Sequence, residues 1–177
     1  ERGVDALFFV SDQSGSGRCL SMVTPDSERT MRSHLGAAST VTADEITDQA
    51  FEGITHFHAE GYTLFLPGCL RKSLELARKH GCTTSLDLAS FEVVRLFRSE
   101  ILDMLKNGLL DIVFANEDEA RAFSGKADPN DALNYIGGMC ELSVVKIGMR
   151  GALIKCGDEV THVGIMAAAK RVDTTGA

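Results

Sequence analysis

The chain has 177 residues, 25 acidic and 18 basic side chains and 44% apolar content, the balance of one folded domain with a sizeable core. Its net charge of −7 and the lack of any basic block argue against a nucleic-acid partner, and no apolar run reaches the roughly eighteen residues of a membrane helix. Cys19, Cys69, Cys82, Cys140 and Cys156 are widely spaced with no Cys-x-x-Cys pair, which points to free thiols in a reducing compartment, read as the cytoplasm with import into an organelle as the alternative, and away from structural zinc.

In chain order, the apolar run Ala6–Val10 predicts a strand, and the turn formers Ser11–Gly17 predict a loop. Cys19–Val23 and Glu28–Met31 predict two further strands around the turn Thr24–Ser27, completing a small meander. Arg32–Ala38 leads out of it, so residues 1–38 and 39–177 form the expected division. Thr42 can cap a short helix through Phe51. Ile54–Ala59 predicts a buried strand ending at Glu60. Pro67 suits a helix's first turn, Leu70, Leu74 and Ala77 share one face, and Gly81 suits the end. Strands are predicted over Thr83–Leu88, Leu110–Ala115 and Leu142–Ile147, with helices from about Glu92 to Lys106 and Asp131 to Met139 between them. Ala152–Lys155 and Glu159–Val163 predict a hairpin around Cys156-Gly-Asp158. Strands alternating with helices imply right-handed crossovers and a mostly parallel sheet, whose ligands bind beyond the carboxyl ends of the strands.

Three stretches at such ends could carry chemistry. Asn116-Glu-Asp-Glu119 follows an apolar strand, and its plain structural reading is a capping box. Val145-Lys-Ile-Gly-Met-Arg-Gly-Ala152 reads first as a β-turn whose glycines supply positive φ; the same glycines let backbone approach an anion. Asp173-Thr-Thr-Gly-Ala177 offers small residues after an acidic anchor, suited either to an Asx-turn or to an anion. No Walker loop, dinucleotide fingerprint or Gly-x-Ser-x-Gly elbow occurs. Glu60 and Asp87 are carboxylates at strand ends, able either to meet solvent or to accept hydrogen bonds from vicinal hydroxyls. His56 and His58 alternate onto one face and read as partly buried structural histidines in preference to a metal pair, and the cysteines read as core fillers.

These motifs, in this order, resemble the ribokinase-like (PfkB) sugar and nucleoside kinases over nearly the whole chain. The resemblance implies a three-layer α/β/α fold with a mostly parallel sheet and a small β-sheet lid near the N-terminus. It implies ATP-dependent phosphotransfer to a hydroxymethyl group of a sugar or nucleoside. The family's Asn-x-x-Glu matches Asn116 and Glu119, which would approach the nucleotide phosphates and organise Mg2+. Lys146, Gly148, Arg150 and Gly151 match the turn that lies along ATP, although Lys146 departs from the threonine common in ribokinases. Glu60 matches a sugar-contacting glutamate. Asp173 and Thr175 match residues that help bind a monovalent cation such as K+, and Gly176 and Ala177 begin the anion hole. The family motif continues with Gly-Asp, whose Asp is the catalytic base, so the chain is read as an inactive piece of a longer kinase. A kinase-like scaffold that no longer catalyses, and an adenosine kinase in place of a sugar kinase, are the alternatives. The family also implies a homodimer joined through the lid sheet.

Overall fold

The computed structural model describes residues 3–25 and 29–166. Two compact units divide it, one of Glu1–Val41 with Met166–Ala177 and the other of Thr42–Ile165. In the first unit, β1 (Ser16–Val23) pairs antiparallel with β2 (Arg29–Gly36), in register from Ser16↔Gly36 to Val23↔Arg29. The strand expected over Ala6–Val10 does not form: among the described residues no neighbouring strand satisfies its backbone, and Phe8 is 81% exposed. Leu20, Met22, Met31 and Leu35 of the two-stranded sheet are exposed.

The second unit is a six-stranded sheet in the order β3 (His56–Glu60), β4 (Thr83–Asp87), β5 (Ile112–Asn116), β6 (Leu142–Lys146), β7 (Ala152–Cys156) and β8 (Glu159–Val163). The first three pairings are parallel and the last two antiparallel, as the alternation of strands and helices followed by a hairpin requires. Between them run α1 (Cys69–Lys79), α2 (Phe91–Lys106), α3 (Glu117–Ser124) and α4 (Pro129–Gly137). Sequential parallel strands joined by right-handed crossovers put these helices on one face. That face supplies the core: Leu86, Val113, Ala115 and Val145 meet Leu74, Val94, Ile101, Phe123 and Ile136. The other face carries His56, His58, Phe114, Val144 and Ile154, at most half-buried, and no helix covers it among the described residues.

Local chemistry moves two helix boundaries. Thr42 takes the N-cap position, its N–H and hydroxyl both donating to Glu45 Oε2 at 2.8 and 3.0 Å, but the segment forms two 3₁₀ turns, Ala43–Glu45 and Asp48–Phe51, in place of one helix. The β-branched Ile46 and Thr47 between them stay extended. Pro67 lies outside α1, which starts after Gly68 at φ 75°, a left-handed value that glycine adopts freely.

The second 3₁₀ turn is tied to α1 by Asp48, whose Oδ1 accepts from Lys79 Nζ at 2.6 Å and His80 Nε2 at 2.8 Å. The Lys79 and His80 donors hold this carboxyl down at about 2. A depressed carboxyl contributes stability above the ordinary carboxylate range of about 4, and that contribution fades as pH falls towards 2. Asp48→Asn is therefore expected to lessen the acid-dependent loss of stability in this window, by a small amount because the pair is exposed, read by far-UV circular dichroism. Unchanged acid dependence in the variant would contradict the pairing.

Candidate active site

Four neighbouring parallel strands end in polar side chains: Glu60, Asp87, Asn116 and Lys146. Register aligns them, with Glu60 opposite Asp87 and Asn116 opposite Lys146. Just beyond the two acidic ends the backbones pass close together at Gly61, where a Cβ would lie 2.8 Å from Leu88 O. Asp87 turns the chain after β4, its Oδ1 accepting from Ala89 N at 3.0 Å while Ala89 takes a left-handed φ of 66°. Such a conformation costs a non-glycine residue free energy and is characteristic of functional loops.

Asn116 caps α3. Its Oδ1 accepts from Glu119 N at 2.9 Å, its own N–H donates to Glu119 Oε2 at 2.8 Å, and its Nδ2 donates to Glu119 Oε1 at 2.6 Å. Glu119 is 2% exposed. Burial pushes its carboxyl above the ordinary range; the Asn116 N–H and nearby Lys146 act in the opposite sense, while Asp87 pushes further up. The capping box and a buried carboxylate at the strand ends thus occupy the same residues.

Lys146 reaches over the end of β5, its Nζ 2.8 Å from Asp87 Oδ2. Two strand spacings, roughly 10 Å, separate the backbones so joined. One ammonium therefore lies among the Asp87 and Glu119 carboxylates, beside the Asn116 amide. The turn after Lys146 closes through Ile147 N→Gly151 O at 2.8 Å and Gly151 N→Gly148 O at 3.0 Å. Gly148 takes φ 59° and Gly151 φ 94°, and a Cβ on Gly151 would sit 2.0 Å from Val163 O. Arg150 sends its guanidinium to Glu117, in the first turn of α3.

The sequence-derived site residues Asn116, Glu119, Lys146, Gly148, Arg150 and Gly151 therefore gather at the ends of β5 and β6, and Glu60 lies exposed on the same sheet edge. Asp173, Thr175, Gly176 and Ala177 lie outside the described residues. Two partners escaped the sequence reading, Asp87 for Lys146 and Glu117 for Arg150; their signal was position at a strand end and in a first helical turn. His56 and His58 are exposed instead of partly buried, because they stand on the helix-free face. Both hydrogen-bond Ser85 Oγ, at 2.8 and 2.7 Å. Cys69 and Cys82 are buried and Cys140 is partly so, but Cys19 and Cys156 are exposed and so are not core fillers.

The donor set fits a magnesium nucleotide. No group of three or more His, Cys, Asp or Glu gathers for a metal among the described residues. Mg2+ retains waters and takes phosphate ligands, so it would need only one carboxylate from the protein, and Glu119 is the carboxylate at these strand ends that could supply it. The amide N–H, the ammonium and the backbone N–H groups of the glycine turn are donors of the kind that phosphate oxygens accept from.

The chain is similar in sequence and fold to known proteins. The model of the pfkB family carbohydrate kinases matches residues 1–177. Adenosine kinase from Sinorhizobium meliloti is 32% identical, with TM-score 0.83, over 90% of this chain and 50% of that one. A probable sugar kinase protein from Rhizobium etli is 31% identical, with TM-score 0.83, over 90% of this chain and 49% of its own. An E. coli protein assigned as ribokinase II and solved with ATP and Mg2+ is 25% identical, with TM-score 0.72, over 88% of this chain and 52% of that one. The chain thus spans about half the length of these relatives. The family model matches the whole length and the Sinorhizobium meliloti kinase is 32% identical over 90% of the chain, so the chain belongs to the pfkB family of carbohydrate kinases.

Proposed function

We propose that the protein to which this chain belongs transfers the γ-phosphoryl group of ATP to a hydroxymethyl group of a sugar or nucleoside. The observation that carries this reading is the convergence of Asn116, Glu119, Lys146 and the Gly148–Gly151 turn at two adjacent strand ends. Asn116 and Lys146 would hold phosphate oxygens, Glu119 would orient the waters of Mg2+, and the turn would run along the nucleotide with Arg150 at its tip. Bound Mg2+ supplies neutralisation of the triphosphate charge. Glu60 would accept hydrogen bonds from vicinal hydroxyls of the acceptor, a pair present both in ribose and in adenosine. Asp173 and Thr175 are proposed for K+, Gly176 and Ala177 for the anion hole, and the Asp expected beyond them for the acceptor proton. On that reading residues 1–177 alone do not catalyse, and free thiols fit work in the cytoplasm. The exposed Leu20, Met22, Met31 and Leu35 suit pairing of the small sheet with a second copy, which a molar-mass measurement tests.

A panel of ribose, fructose and adenosine with MgATP, assayed on the full-length protein, tests the reaction. Product from at least one acceptor is expected, and none from any would contradict the proposal. Lys146→Met, which keeps the stem and deletes the charge, is expected to raise KM for MgATP about tenfold, since hydrogen bonds to charged groups contribute about 1.5–3 kcal/mol. An unchanged KM would remove Lys146 from the site.

A further inference from the structure

His162 lies on β8, opposite Leu153 of β7, and its imidazole turns back towards the glycine turn. Its Nε2 is 2.6 Å from the carbonyl oxygen of Arg150. A carbonyl oxygen only accepts, so Nε2 carries the hydrogen and donates it. The turn's own bonds use the carbonyls of Ile147, Gly148 and Gly151 and leave that of Arg150 to this imidazole. Arg150 is thereby held at both ends, its carbonyl by β8 and its guanidinium by Glu117 at the start of α3. The Gly151 backbone rests directly on the Val163 carbonyl, next along β8.

We propose that His162 is a positioning residue for nucleotide: through Arg150 it locks the Gly148–Gly151 turn to α3, so that the turn backbone and the Asn116–Glu119 cap are presented in one fixed arrangement. This rests on the nucleotide reading above. The imidazole touches neither nucleotide nor acceptor; it acts by removing freedom that the turn would otherwise lose on binding. A lock of this kind affects nucleotide affinity more than turnover, and it depends on a hydrogen at the Nε2 position. Glutamine can bring an amide N–H to about the same reach, whereas asparagine is too short and leucine has no donor.

The test uses the full-length protein and its His162→Leu, His162→Asn and His162→Gln variants, with amide hydrogen exchange of residues 148–151 and steady-state kinetics in MgATP. In the Leu and Asn variants the turn amides are expected to exchange about fivefold faster and KM for MgATP to rise about fivefold, the size of one modest hydrogen bond, with kcat within about twofold. The Gln variant is expected to restore both. Wild-type exchange in the Leu and Asn variants, or a Gln variant as impaired as Leu, would overturn the lock. Faster exchange with an unchanged KM would overturn the nucleotide half of the proposal alone, leaving a locked turn that does not bind ATP.

Discussion

Glu119→Gln in the full-length protein is expected to lower MgATP-dependent phosphorylation by about 10- to 100-fold, the usual cost of losing a group that orients a metal's ligands. The fold should survive, because glutamine also serves as the third residue of a capping box. Asn116 N–H keeps an acceptor, while the Asn116 Nδ2–Glu119 Oε1 bond of 2.6 Å is lost. One such bond is worth about 1 kcal/mol, a small part of a domain's stability. A large kinetic loss at nearly native stability would separate the carboxylate's charge from its capping role. Raising Mg2+ should recover part of the rate if the charge acts through the cation. A variant with native rate at every Mg2+ concentration would reduce Asn116 and Glu119 to a helix cap.

Gly151→Ala should be the most damaging small substitution in the turn. The new methyl would lie 2.0 Å from Val163 O, a backbone atom, and the residue would be forced to hold φ 94°. Strand β8 must then move or the turn must open, at a cost of about 3 kcal/mol when the steric and backbone terms are combined. Gly148→Ala provides the control: φ is 59° there, but nothing lies within 4 Å of the added methyl, so only the backbone cost of about 1 kcal/mol applies. Denaturant unfolding of the two variants compares them directly. Equal effects would mean that the packing of the turn against β8 is not what the Gly151 position requires.

The parts of this fold that were legible in the sequence are those that local chemistry determines. β5 and β6 are short, mostly apolar runs that end in polar residues, and α2 repeats its apolar positions at three- and four-residue steps, with Val94, Ile101 and Leu105 all buried as that spacing requires. The Asn116–Glu119 cap is a relation between residues three apart, so sequence alone contains it. The Lys146–Asp87 pair joins residues 59 apart and exists only because three strands align in parallel register. The Glu117 partner of Arg150 and the His162 donor likewise depend on how a turn meets a helix and an edge strand. Ala6–Val10 failed for the converse reason: its composition suits a strand, but strand formation also needs a neighbour.

The most direct measurement is a crystal structure of the full-length protein with Mg2+ and a non-hydrolysable ATP analogue. The expected result is one triphosphate bounded by the Asn116 amide, the Lys146 ammonium and the backbone of Gly148–Gly151, with the cation's waters against Glu119. A triphosphate bound away from the carboxyl ends of β5 and β6, with Lys146 still paired to Asp87 alone, would contradict it.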